Sequence, residues 1–141
     1  MTARTFLDTN VLVYAFDGDQ PAKQAAAREI LYGARAGTHA VSPQVLQEFF
    51  NAVTRKLQRP VGADDALAAV KALARLTVVP ADADLVLAAI ELHRRHQLLL
   101  WDALIVQAAL VGGCTRLLTE DLQDGFRVGT LVVENPFRGL D

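Results

Sequence analysis

Thr5-Phe6-Leu7-Asp8-Thr9-Asn10-Val11-Leu12-Val13-Tyr14-Ala15 sets a pattern that the rest of the chain repeats. Thr5-Phe6-Leu7 reads as a short strand that ends at Asp8, and Val11, Leu12, Tyr14 and Ala15 then recur at helical spacing. Pro21 to Ala36 is an Ala-rich run with proline in its first turn and Gly37 as its stop, so it predicts a second helix. His39-Ala40-Val41 predicts the second strand. Ser42 and Pro43 then supply an N-cap and a first-turn proline for a helix reaching Leu57, with Val45, Leu46, Phe49, Phe50, Val53 and Leu57 on one face.

A helix from about Ala63 to Arg75 precedes a third strand, Thr77-Val78-Val79, closed by Pro80. Asp82 or Asp84 caps the next helix, which runs to His96, and an apolar helix follows Gln97 until Gly112-Gly113 ends it. Arg116-Leu117-Leu118 and Leu131-Val132-Val133 give the fourth and fifth strands. Strands alternating with helices predict a parallel sheet covered on both faces. No linker divides the sequence, so residues 1–141 read as one α/β domain.

Composition agrees with that reading. The 141 residues are 52% hydrophobic and 21% charged, enough apolar surface to offset the entropy of ordering the chain. A single cysteine, Cys114, excludes an intrachain disulfide and a cysteine-based zinc site, which fits a reducing compartment. Asp8 interrupts the apolar start too early for a signal peptide, and Leu98 to Gly113 is too short and polar to span a bilayer. These features predict a cytoplasmic protein with no membrane association. The net charge of −2 decides nothing about nucleic acid, because four acids gathered into one site would leave the remaining surface positive.

In open α/β sheets the working groups lie beyond the carboxyl ends of the strands. Asp8 falls there after the first strand, and Thr119-Glu120-Asp121 after the fourth. Each also has a plain structural role open to it: Asp8 as a helix cap, and the Glu120-Asp121 pair as first-turn acids. Asp102 is the one formal charge in Leu98–Leu110, where a carboxylate is costly without a partner, a cation or a helix N-terminus. Glu48 borders the apolar face of its helix, beside Val45 and Ala52. Four acids brought together would repel unless a divalent cation joined them. All-oxygen donors suit Mg²⁺ or Mn²⁺, which activate water for phosphodiester hydrolysis. Thr9, Asn10 and Thr119 are neutral neighbours able to orient a carboxylate, water or phosphate, or to cap.

Leu7-Asp8-Thr9-Asn10-Val11-Leu12, Glu48 within Val45–Phe49, Trp101-Asp102-Ala103-Leu104-Ile105 and Leu118-Thr119-Glu120-Asp121-Leu122 together resemble the PIN domain, in order and spacing. Val133-Glu134-Asn135-Pro136-Phe137 is similar to the end of its toxin branch, the VapC-type ribonucleases of toxin–antitoxin pairs. The resemblance covers essentially the whole chain. It implies a three-layer α/β/α fold with a central parallel sheet of strand order 3-2-1-4-5. It further implies Mg²⁺- or Mn²⁺-dependent cleavage of RNA to 5′-phosphate and 3′-hydroxyl ends. Asp8, Glu48, Asp102 and Asp121 match the family's acidic quartet, as catalytic residues and metal ligands. Asp124 is a further acid that stands in for or assists Asp121, and the family pattern favours Asp121 among Glu120, Asp121 and Asp124. Family behaviour also implies a homodimer, held inactive by a small VapB-like antitoxin.

Arg55, Lys56 and Arg59, near the end of the Glu48 helix, are candidate RNA phosphate contacts, or simply solvated cations that complement the helix dipole. His93 and His96 stand one turn apart at a helix C-terminus, where positive residues are expected, and Trp101 reads as core or interface packing. A haloacid-dehalogenase-like phosphatase needs a second Asp where this chain has Asn10, and a dinucleotide-binding enzyme needs a Gly-rich turn where it has Asp8-Thr9-Asn10. A receiver domain needs an Asp at the third strand, where Val78-Val79-Pro80 stands. The rival from another class is a PIN-like module that binds RNA or protein without cutting.

Overall fold

Parallel strands cannot be joined by tight turns, so each needs a crossover, and this chain supplies three helical ones. The computed structural model describes residues 3–33 and 38–140. The first crossover links β1 (Arg4–Leu7) to β2 (His39–Val41) through α1 (Thr9–Tyr14) and α2 (Pro21–Tyr32). The second passes through α3 (Pro43–Arg55) and α4 (Ala63–Leu73) to β3 (Thr77–Val78). The third uses α5 (Ala83–His96) and α6 (Leu100–Val111) to reach β4 (Cys114–Leu118). Two further strands, β5 (Arg127–Val128) and β6 (Leu131–Glu134), complete the sheet in the order β3-β2-β1-β4-β6-β5.

This order puts the first strand at the centre. The first two crossovers step outward from β1, whereas the third carries the chain back past it to β4. Crossovers keep one hand, so that change of direction moves the helices to the other face of the sheet. Accordingly α1 packs on α2 and α3, and α3 on α4, while α5 packs on α6, which lies over β4 and β2. Thr5, Phe6 and Leu7 are buried, as expected for a strand covered on both sides. The crevice where the direction changes opens between the carboxyl ends of β1 and β4.

The expected order 3-2-1-4-5 holds, with Leu131–Glu134 as the fifth parallel strand. One correction applies: β5 is an additional strand, antiparallel to β6, so the sheet is mixed rather than wholly parallel. The chain leaving β4 must reverse before it can run parallel again. Arg127 and Val128 use that return to pair with Val132 and Leu131, and Gly129 takes the left-handed φ of 58° in the turn. Helix ends differ by a few residues from expectation. α3 stops at Arg55, α4 at Leu73 and α2 at Tyr32, where Gly33 turns extended instead of continuing the helix toward Ala36; the expected Gly37 stop lies outside the described residues. Gly112 ends α6 as expected, and a Cβ there would sit 2.7 Å from Val79 Cγ2, so glycine permits the helix end to press on the sheet.

Candidate active site

The sheet ladder continues one residue past two strand ends and sets the site's frame. Leu7 is in register with Leu118, the Asp8 N–H donates to the Leu118 carbonyl at 3.1 Å, and the Thr119 N–H donates to the Glu134 carbonyl at 3.1 Å. Asp8 and Thr119 therefore emerge side by side at the crevice, although 111 residues separate them. The Thr119 hydroxyl, fully buried, donates to Asp8 Oδ2 at 2.8 Å and accepts from Asn10 Nδ2 at 3.0 Å and from the Asp121 N–H at 3.1 Å. One hydroxyl thus fixes the carboxylate after β1, the amide on α1 and the turn after β4.

Asp8 also caps α1, its Oδ1 accepting from the Thr9 N–H at 2.7 Å. The capping role is real, yet the carboxyl is only 5% exposed. Burial pushes its pKa up to about 6, against the hydrogen bonds from Thr119 and Thr9 that pull it down, and the charges of Asp121 and Glu48 raise it further. Asn10 reaches the other strand end through both amide atoms: Nδ2 donates to Asp121 Oδ2 at 3.1 Å, and Oδ1 accepts from the Glu120 N–H at 3.3 Å.

α3 brings Glu48. Its buried stripe of Val45, Phe49 and Val53 packs toward the core, with Phe49 edge-on to Phe16 at 5.3 Å, and this leaves Glu48 on the side facing α1. There Thr9 Oγ1 donates to Glu48 Oε1 at 2.8 Å. Gln44, one turn earlier, donates from Nε2 to Glu48 Oε2 at 3.4 Å and to the Trp101 carbonyl at 3.2 Å, tying α3 to the first turn of α6. That turn carries Asp102, whose carboxyl is raised in pKa by burial first and then by the charges of Asp121 and Glu48.

Asp8, Glu48, Asp102 and Asp121 thus share one electrostatic neighbourhood, and among the described residues none of the four forms an ion pair. No three acid, imidazole or thiol side chains among those residues stand close enough to enclose an ion as they are. Bringing three of these carboxylates onto one cation therefore takes side-chain rotation. The set offers only hard oxygen donors, which match Mg²⁺ or Mn²⁺. A groove of about 380 Å³ runs past the cluster, lined by Thr9, Asn10, Glu48 and Asp121 and by Lys56 at its rim.

Other candidates fall elsewhere. Asp124 accepts from the Asn135 N–H at 2.8 Å and pairs with Arg138 at 2.7 Å, contacts that hold its pKa below the usual carboxylate range. It serves the chain's last turn rather than the cluster. Arg59 pairs with Asp19 at 2.8 Å, and Arg55 is exposed on the last turn of α3. Trp101 is 64% exposed, so it is not core. His93 meets the Leu98 carbonyl through Nδ1, and His96 stacks edge-on against Phe126 at 5.5 Å. Sequence reasoning did not single out Gln44, Tyr14 or Lys23. Tyr14 was within reach, because it stands four residues after Asn10 on the same helical face.

Thr119→Val tests the central hydroxyl. It keeps the shape but strips partners from Asp8 and from the Asp121 N–H, and is expected to cost about 2 kcal/mol in a urea melt, with Thr119→Ser restoring most of it.

The PIN domain family model matches residues 5–127. No curated protein matches the chain in sequence. Among solved structures, a toxin–antitoxin complex from Klebsiella pneumoniae superposes with a TM-score of 0.71 at 19% identity, covering 96% of this chain and 98% of that one. VapC20 of Mycobacterium tuberculosis, a sarcin-ricin loop cleaving toxin, gives 0.65 at 23% identity over 80% and 86%. DNA-bound VapBC from Salmonella typhimurium gives 0.66 at 20% identity over 96% and 99%. At these identities the superpositions speak for the fold, and the family model, spanning most of the sequence, decides membership: the chain belongs to the PIN domain family.

Proposed function

We propose that this PIN domain is a metal-dependent endoribonuclease acting as the toxin of a type II toxin–antitoxin pair. The observation that carries the reading is the convergence of Asp8, Glu48, Asp102 and Asp121 beside an open groove, none of them paired with a cationic side chain among the described residues. Asp8, nearly buried and uncompensated, is the donor whose environment most favours a bound cation. These four carboxylates would hold one or two Mg²⁺ or Mn²⁺ ions, which supply activation of a water and offset the charge growing on the phosphate. Thr119, Thr9 and Asn10 keep the carboxylates in place. Lys56, on the groove wall, is the best placed of the three candidate RNA cations. Water attack on phosphorus expels the 3′-oxygen, leaving a 5′-phosphate and a 3′-hydroxyl.

The similarity to toxin–antitoxin complexes supports a small VapB-like antitoxin as partner. Exposed Leu87 on α5 and Leu99 and Trp101 at the start of α6 support a second copy of the chain as another. No helix among the described residues is long and apolar enough to cross a membrane. The test is cleavage of a broad RNA pool with Mn²⁺ or Mg²⁺, with chelator, and with Asp8→Asn as control. Metal-dependent products bearing 5′-phosphate, absent from the variant, are expected. Equal cutting by both proteins, or none by the parent with either metal, would leave the non-catalytic binding module as the better reading.

A further inference from the structure

Besides Glu48 and Asp121, the groove is lined by a third carboxylate that the proposed quartet does not use. Glu120 lies between Thr119 and Asp121, both of which are tied to the acid cluster, and it lines the same groove. Its side chain goes the other way. Tyr14 Oη donates to Glu120 Oε1 at 2.6 Å, and Lys23 Nζ, from α2, donates to Oε2 at 3.3 Å and to Tyr14 Oη at 3.3 Å. The ammonium also stands 4.9 Å from the Tyr14 ring centroid. The Lys23 and Glu120 side chains are only 20% and 25% exposed, so this three-membered cluster is shielded more than an ordinary surface pair.

We propose that Lys23 is a positioning residue: with Tyr14 it holds Glu120 out of the cation-binding set and cancels its charge on the groove wall. The inference rests on the nuclease reading above. A Glu side chain beside Asp121 and across the groove from Glu48 is drawn to any cation the quartet shares, and a fifth anionic ligand changes how tightly that cation sits. The same negative charge, left uncancelled, repels a phosphate backbone entering the groove. Losing Lys23 therefore moves two quantities in opposite senses, tightening the divalent cation and weakening RNA. A merely structural lysine would weaken both.

The experiment uses the full chain, with Mn²⁺ binding followed by calorimetry without RNA and cleavage kinetics followed on one oligoribonucleotide. Lys23→Met is expected to bind Mn²⁺ about fivefold tighter and to raise KM for RNA about fivefold, the loss falling on KM rather than kcat. Adding Glu120→Gln to Lys23→Met returns Mn²⁺ affinity to within about twofold of the parent. Glu120→Gln alone leaves Lys23 uncompensated and lowers KM about threefold, a readout that stands even if Lys23→Met fails to fold. Unchanged or weaker Mn²⁺ binding in Lys23→Met, or loss of Mn²⁺ binding in Glu120→Gln, overturns the proposal. A parent that takes up no Mn²⁺ removes the nuclease reading as well, whereas a parent that binds and cuts like Lys23→Met removes this inference alone.

Discussion

Asp8→Asn is expected to cut RNA about a thousandfold more slowly than the parent and yet to melt higher in metal-free buffer at pH 7.5. The two effects share one cause. Folding takes the Asp8 carboxyl from water to a site where its pKa rises from 3.8 to about 6. Between those values the folded protein holds the proton more firmly than the unfolded chain, so stability falls as pH rises through the window and the whole penalty, about 3 kcal/mol, is present above it. Asparagine carries no charge to bury, still accepts from the Thr9 N–H and remains a good cap. Part of the gain is lost because its amide meets a Thr119 hydroxyl that already accepts twice. A net rise of about 2 kcal/mol, or roughly 6 °C, remains. Calorimetric melts at pH 7.5 and pH 4 check it: the gap should close at the lower pH, and a variant less stable at pH 7.5 would contradict the buried charge.

The second large effect is stabilisation by the cation itself. Four uncompensated carboxylates that converge in the folded chain and disperse in the unfolded one bind a divalent ion only when folded. At a hundred times its dissociation constant such an ion stabilises by about 2.7 kcal/mol, some 8 °C in melting temperature. Asp102→Asn removes a carboxylate whose pKa burial, Asp121 and Glu48 hold above its ordinary value, so it should raise the metal-free melt at pH 7.5 slightly while reducing the gain from Mn²⁺ by half or more. A melting curve insensitive to Mn²⁺ across a wide range would argue against the four acids acting together. Protonation of Asp8 competes with the cation, so the Mn²⁺ gain shrinks as pH falls below about 6.

Much of the architecture was legible because local signals and the final packing agree. Ser42 followed by Pro43 marks the start of α3, and the Ser42 hydroxyl does accept from the Val45 N–H. Asp82 rather than Asp84 caps α5, a choice that sequence left open. β5 was not legible, since two residues carry no periodicity and Arg127–Val128 becomes a strand only because β6 stands beside it. In the site, residue types announced the acids, but their partners are long-range. Nothing near Thr119 in sequence says that its hydroxyl meets Asp8, and nothing near Lys23 says that its ammonium meets Glu120. Nor does anything near Asp124 in sequence announce its pair with Arg138 across the closing turn.

The central place of β1 has a consequence for synthesis. β1 finds its partner β4 only after the ribosome has made residue 118, and the crevice gains the Asp121 carboxylate three residues later. Until then a nascent chain carries one open flank of β1, exposed to misassembly or to a chaperone. The four-acid cluster cannot ripen gradually. It arrives only when the segment from β4 onward docks on β1.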